Sequence, residues 1–460
     1  MHLAHVVTHR CRRVQLVCLA RFPLFLPSAT ARLCHWQVSQ GGFLQFEDTI
    51  FKIQDMIPRH LAKHILQATE AYPVITLMGP RQSGKTTLVR QLFAGHAYVS
   101  LEAPDHRAFA LEDPRGFLGQ FAGGVILDEV QRAPDLLSYI QGIVDEQQQP
   151  GQFVLTGSQN FLLLEKVTQS LAGRTALFHL LPFSHSELMG RPPLPLEHIG
   201  AALPEHASQP STGTPESSSL FETLFTGFYP RIHDLKLAPQ DWLRNYFQTY
   251  IERDVRTLLN VGNVETFTRF VRLCAGRSGQ LLKISALGAD CGISHDTARR
   301  WLSVLEASYV VHLLRPHHRN FNKRLIKSPK LYFLDSGLLC FLLRVQSPEM
   351  LVTHPLRGAI FESFAVAELL KTYHHTAREP NLYFWRSADG HEVDVLLERG
   401  QTLVPLELKS GETIASDFFK GLRYWRSLPG QAEAPAALVH GGTESRMQQG
   451  VAVYSWRDWG

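Results

Sequence analysis

Short apolar runs alternate with helical patterns through the chain after residue 70. Pro73-Val-Ile-Thr-Leu-Met78 is apolar at almost every position, as a strand buried inside a parallel sheet must be. Gly124-Val-Ile-Leu127 and Gln152-Phe-Val-Leu-Thr156 repeat that pattern. Helical sequence follows the first run (LVRQLF) and the third (FLLLEKVTQSLAGR). Strands alternating with helices predict an α/β layer built on a parallel sheet.

The pattern then changes. Residues 190–219 are dominated by Pro, Ser and small residues without an apolar period, which predicts a loop or linker. A helical connector is expected over 220–260. Within DWLRNYFQTYIERDVRTLL, residues Trp242, Tyr246 and Tyr250 recur at i, i+4 and i+8 and predict a core-facing stripe. Glu252, Arg253 and Asp254 beyond it read as surface ion pairs.

Over 261–345, an apolar helix (Ile284 to Cys291), a tight Gly292-Ile-Ser294 turn and a second helix capped by Ser294 make a helix-turn-helix pattern, with SYVVHLL as wing strand. Ser294, His295, Thr297, Ala298 and Arg300 fall on the second helix. Arg315, Arg319, Lys323, Arg324, Lys327 and Lys330, interleaved by Phe321, form a stretch without an acid that suits a DNA backbone. Winged helices also bind proteins, and the residues leave both partners open. From 346 to 460 the helix GAIFESFAVAELLKTY precedes three strand-like segments, LYFWRS, HEVDVLLE and TLVPLELKS, joined by turns at Asp389-Gly390 and Gly400, which read as a meander.

Composition narrows the class. The 460 residues are 44% hydrophobic and 19% charged, which suits about three domains with cores of their own and excludes a mainly disordered chain. No uncharged apolar run reaches about 18 residues, so no membrane span is expected. Six cysteines without a CxxC pair exclude a disulfide scaffold and a thiolate zinc site. A net charge of +4 permits only a local basic surface. In residues 1–55, Arg10, Arg12 and Arg13 precede VQLVCLARFPLFLPSATA, a stretch like a signal peptide but split by Arg21. We expect an extension without assigned function, or upstream sequence joined by a wrong start, with Met56 a natural beginning.

The first strand runs into Gly79-Pro80-Arg81-Gln82-Ser83-Gly84-Lys85-Thr86-Thr87 and then a helix. This is G-x-x-x-x-G-K-[ST] in its strand–loop–helix setting. Glycines let backbone N–H groups turn inward around phosphates, and the helix N-terminus adds its positive dipole end. Lys85 supplies a charge to the β- and γ-phosphates, and the Thr86 hydroxyl ligates Mg²⁺. The second strand ends in Asp128-Glu129, at the sheet edge where a nucleotide binds. Asp128 is placed to hold Mg²⁺, and Glu129 to polarise the attacking water. Past the third strand, Ser158, Gln159 and Asn160 are all candidates to lie beside the γ-phosphate. Arg174, after Gly173, is expected either to reach a phosphate in the same or a neighbouring subunit or to complement a helix C-terminus.

Taken together, GPRQSGKTT, VILDEVQRAPDLL, LTGSQN and SLAGR followed by LPFSHSEL resemble the prokaryotic AAA-type ATPases that pair this module with a C-terminal domain of unknown function. The resemblance runs from about Met56 to the C-terminus. It implies ATP with Mg²⁺, hydrolysis, a cytoplasmic setting and a homo-oligomer. No guanine-reading NKxD motif appears, in agreement with ATP.

A second signature lies in the meander. Glu407 and Lys409, two apart in a strand, share a face, and Asp394 on the neighbouring strand can join them. Glu362 on the preceding helix can complete the group. Two carboxylates beside a lysine suit one Mg²⁺ and an activated water. These residues resemble the PD-(D/E)xK restriction-endonuclease-like superfamily, with Val393 standing where that name has proline; His391 and Glu392 are accessory candidates. The expected architecture is a phosphate-loop ATPase (56–189), the linker and connector, a winged helix (261–345) and a nuclease-like α/β end (346–460). Two readings follow: ATP hydrolysis coupled to a DNA-handling C-terminal half, or a nucleotide-dependent protein-interaction switch with an inactive nuclease-like scaffold.

Overall fold

The computed structural model describes residues 57–158, 169–203, 219–250, 264–317, 328–387 and 389–460. Residues 1–55, Gln159, Asn160, Glu252, Arg253, Asp254, Arg319, Phe321, Lys323, Arg324 and Lys327 lie outside them, with most of FLLLEKVTQ.

The three predicted apolar runs become β1 (Val74–Met78), β3 (Val125–Asp128) and β4 (Phe153–Gly157), and β2 (Ala97–Ser100) and β5 (Thr175–His179), which were not predicted, complete a five-stranded, wholly parallel sheet in the order β2-β3-β4-β1-β5. Successive side chains of a strand point to opposite faces, so β1 feeds two cores. Val74 and Met78 pack with Leu127, Phe153 and Leu155 on one face, and Ile75 and Leu77 pack with Ile126 and Val154 on the other. With all five residues of β1 buried and a strand paired on each side, the loop that follows is anchored on a central strand of the sheet.

The second half is built on an eight-stranded mixed sheet, β12-β13-β11-β10-β9-β8-β6-β7. Its strands are β6 (Val311–Pro316), β7 (Lys330–Phe333), β8 (Leu382–Arg386), β9 (Glu392–Arg399), β10 (Thr402–Lys409), β11 (Ala437–His440), β12 (Arg446–Gln448) and β13 (Val451–Ser455). The β8-β9-β10 meander is antiparallel, as read from the sequence, and β10 then pairs with β11 in parallel. Helix Arg357–His375 precedes the meander, and helix Lys420–Arg426 lies between β10 and β11.

The helix-turn-helix elements form at Ile284–Cys291 and His295–Ala307. Gly292 is left-handed (φ 69°), and the Ser294 Oγ accepts from Thr297 N at 3.1 Å. His295, Arg299 and Arg300 are exposed, whereas Ala298 is buried and faces the core. Trp301 packs edge-on against Phe267 and Phe270. The β6–β7 hairpin is not a free wing: β6 continues into β8 at Arg315 and Pro316, so one sheet crosses the expected 345/346 boundary.

The aromatic stripe is core. Trp242 stacks on Tyr246, and Tyr229 OH donates to Tyr246 OH at 3.0 Å. The first part of the expected linker is anchored rather than loose. Leu194, Leu196 and Ile199 are buried, and the Arg399 guanidinium donates to the carbonyls of Leu196 and Ile199. Isolated apolar residues between prolines carry no period, so this packing left no sequence signal.

Candidate functional site

Beyond Met78 the chain turns through the loop and enters helix Lys85–Leu92. Gly84 is left-handed at φ 90°, and Gln82 at φ 62° shares that region despite its side chain. A Cβ on Gly79 would stand 2.1 Å from the Leu180 carbonyl oxygen, so only glycine lets the loop pass the exit of β5. The buried Lys85 ammonium donates to Gly79 O (3.0 Å) and Pro80 O (2.8 Å), holding it across the loop. Ser83 is buried, Arg81 lies 4.0 Å from Glu102, and Thr87 is exposed.

Strand β3 delivers Asp128 beside this loop. Thr86 Oγ1 lies 3.2 Å from both Asp128 oxygens, Tyr98 OH donates to Oδ2 at 2.8 Å, and Thr156 Oγ1 donates to Oδ1. Tyr98 and Thr156 were not anticipated. Both sit on strands flanking β3, and only the strand order reveals them. Burial, then the hydrogen bond to Asp128, raises the Tyr98 phenol above its usual range, which keeps it a donor. Thr86 and Asp128 together offer hard oxygens of the kind Mg²⁺ prefers.

Glu129 leaves the strand in left-handed geometry (φ 58°, ψ 45°), a conformation that costs a non-glycine residue about 1 kcal/mol. Its Oε2 accepts from Ser158 Oγ at 2.9 Å and from Gln131 Nε2. Ser158 therefore meets the acid next to Asp128, at the carboxyl end of β4. Arg174 is elsewhere. It directly precedes β5, which runs parallel to β1 with Thr175 opposite Val74, so Arg174 lies at the end of the sheet remote from its own loop. There it pairs with Asp145 at 2.5 Å. Contact with a phosphate in the same chain is ruled out by the length of β1.

In the second half the structure brings Glu362, Asp394, Glu407 and Lys409 together. Lys409 Nζ lies 2.6 Å from Glu407 Oε1 and 3.6 Å from Asp394 Oδ2, which also accepts from Leu408 N at 3.0 Å. Glu362 Oε2 accepts from Tyr332 OH at 3.2 Å. Lys330, read from the sequence as part of a phosphate-gripping stretch, is instead buried here. It pairs with Glu392 and stands 3.9 Å from Asp394 Oδ1. A lysine surrounded by basic sequence but alternating with Leu331 and Phe333 on a buried strand cannot face a DNA backbone.

Burial, then the Asp394 carboxylate, pushes Glu362 up to about 7 and Glu407 up to about 8. Both oxygens of Asp394 thus face ammonium groups. Among the described residues no group of three or more His, Cys, Asp or Glu side chains is arranged to hold a metal ion. Lys409 takes Glu407 Oε1 and approaches Asp394 Oδ2, while Glu407 Oε2 is buried with no hydrogen-bond partner among the described residues. His391 stacks on Tyr424, with ring centroids 3.7 Å apart.

The loop, the β3 acid and the parallel sheet define an α/β phosphate-loop NTPase domain of the AAA type, and residues 71–189 match the AAA domain family. Residues 217–349 and 357–459 match two domains of unknown function, DUF8612 and DUF4143. Uncharacterized proteins of Mycobacterium tuberculosis and Mycobacterium bovis are each 31% identical over 357 residues, covering 77% of this chain and 74% of theirs, and the chain belongs to their family. A Walker-type ATPase of Pyrococcus abyssi overlaps 63% of this chain and 97% of its own, at 14% identity and a TM-score of 0.38. The RuvB Holliday junction branch migration motor of Thermotoga maritima overlaps 55% and 88%, at 17% identity and a TM-score of 0.26. Among the described residues no helix is long and apolar enough to cross a membrane.

Proposed function

We propose that the protein hydrolyses Mg·ATP and couples the cycle to DNA handled by its C-terminal half. The observation that carries the nucleotide chemistry is the convergence of Thr86 Oγ1 on both Asp128 oxygens at 3.2 Å beside a glycine-gated loop. Backbone N–H groups from Arg81 to Thr87 and the Lys85 ammonium bind the β- and γ-phosphates. Thr86 and Asp128 hold Mg²⁺, which offsets phosphate charge when bound. Glu129 accepts a proton from the attacking water, and Ser158 holds its carboxylate. Replacing Ser158 by alanine leaves that carboxylate held by Gln131 alone and should lower turnover more than nucleotide affinity.

Arg174 is assigned to the nucleotide of a neighbouring copy. This assignment predicts specific activity that rises with protein concentration. Arg174→Ala should abolish the rise, with turnover falling on the order of 10³-fold, as for an arginine supplied in trans. Turnover independent of protein concentration would leave Arg174 as the partner of Asp145 alone.

The exposed His295, Arg299 and Arg300 on the second helix of the helix-turn-helix support DNA contact. The order helix–β8-β9-β10–helix–β11, with Asp394, Glu407 and Lys409 on adjoining strands, supports a nuclease-like fold. Turnover is expected to rise with added duplex or branched DNA, and the rise to shrink with added salt. Turnover indifferent to every DNA form would favour the second reading, a protein-interaction switch.

A further inference from the structure

We infer that Arg59 is a positioning residue for the nucleotide phosphates, setting the direction of the Gly84 N–H from outside the loop. The inference rests on the ATP-binding reading above. Arg59 lies ahead of the segment that matches the AAA domain, 71–189, and precedes helix Ala62–Ala68. Its side chain is only 7% exposed. Nη1 donates to Ser83 O at 2.8 Å, and Nη2 donates to Leu181 O at 2.6 Å. The guanidinium also stands 4.9 Å over the Phe183 ring.

A trans peptide unit is planar, with its C=O and N–H on opposite sides. Fixing the Ser83 carbonyl toward Arg59 therefore fixes the next N–H, that of Gly84, away from Arg59 and into the phosphate cradle. Gly84 at φ 90° has no steric preference to do this by itself. An arginine suits the task because its planar fork serves several acceptors at once, whereas lysine is a single point charge.

The fork is held by residues from distant parts of the chain. Arg59 Nε donates to Glu187 Oε1 at 3.1 Å. The same fully buried carboxylate accepts from His60 N (2.8 Å) and Ser184 N (2.9 Å). Arg59 Nη2 lies 3.3 Å from His375 Nε2, and His375 Nδ1 lies 3.3 Å from Glu187 Oε2. Arginine only donates, so Nε2 is the acceptor and the imidazole is neutral with its proton on Nδ1, toward Glu187. His375 ends helix Arg357–His375, whose first turns carry Glu362. The orientation of the phosphate loop is thus set partly by a residue of the C-terminal half.

The test compares wild type with Arg59→Lys in the full chain, measuring equilibrium affinity for ATP, ADP and AMP together with nucleotide-free thermal unfolding. Lysine keeps the charge opposite Glu187 but cannot also hold Ser83 O. Affinity for ATP and ADP should fall at least about 10-fold, or about 1.4 kcal/mol, with AMP affinity unchanged because the cradle serves the outer phosphates. A merely structural role would lower the melting point and weaken all three nucleotides alike, and that result overturns the inference. Equal affinity of Arg59→Lys and wild type for ATP also overturns it. A wild-type chain that binds no nucleotide overturns the loop reading and this inference together. Should Arg59→Lys fail to fold, amide exchange in the wild type decides. Mg·ADP should slow exchange at residues 57–61 and at the C-terminal turn of helix Arg357–His375, and unchanged exchange at both overturns the inference.

Discussion

Lys85→Ala is expected to reduce ATP turnover by on the order of 10³-fold, to near the background of the assay. In the proposed function the ammonium supplies the charge at the β- and γ-phosphates, and no backbone dipole would replace it in the transition state. The fold should survive. The Nζ donates to Gly79 O and Pro80 O, which are neutral carbonyls, so losing these two bonds leaves no charge unpaired. Steady-state turnover and thermal unfolding of wild type and variant check both halves of this statement. Undiminished hydrolysis would move the chemistry away from the loop.

A steep loss of stability below about pH 6 is the second large effect. Burial, then the nearby Arg191 charge, pushes His185 down to about 3, and burial lowers His375 despite the neighbouring Glu187. His179 and His312 are likewise pushed down to about 4 by burial. A histidine whose folded pKa is depressed takes up its proton only on unfolding. Its contribution to stability is therefore present above the unfolded value, near 6.5, and is lost as pH falls toward the folded value. By pH 5 this amounts to about 2 kcal/mol for each fully buried imidazole. His185 and His179 together thus remove about 4 kcal/mol, and His375 acts in the same direction. Urea unfolding at pH 7, 6 and 5 measures it, and a midpoint that does not move would mean these rings are solvated.

The parts of this protein legible in its sequence are those whose physics is local. Loop residues 79–87 must be contiguous to wrap a phosphate, and Asp128-Glu129 must end a buried strand, so both announce themselves. The meander and its Glu407–Lys409 pair follow from a two-residue period. What stayed hidden depends on strand order and chain reversal. Tyr98 and Thr156 reach Asp128 only because β2 and β4 flank β3, and Arg59 reaches Ser83 from 24 residues upstream. Lys330 was misread because a run of basic residues carries no sign of which member turns inward. Arg174 followed a motif, yet the direction of β5 places it at the far end of the sheet. Leu194, Leu196 and Ile199 anchor a segment whose composition resembles a linker, because burial there is by single side chains and not by a repeating face.

Titration of Mg·ATP into the wild-type chain, repeated with the metal chelated, tests the central claim most directly. The proposed function predicts one saturable nucleotide site per chain whose affinity falls when Mg²⁺ is removed, since Thr86 and Asp128 would then lack the ion they are proposed to hold. Absence of saturable binding in both conditions would contradict the claim.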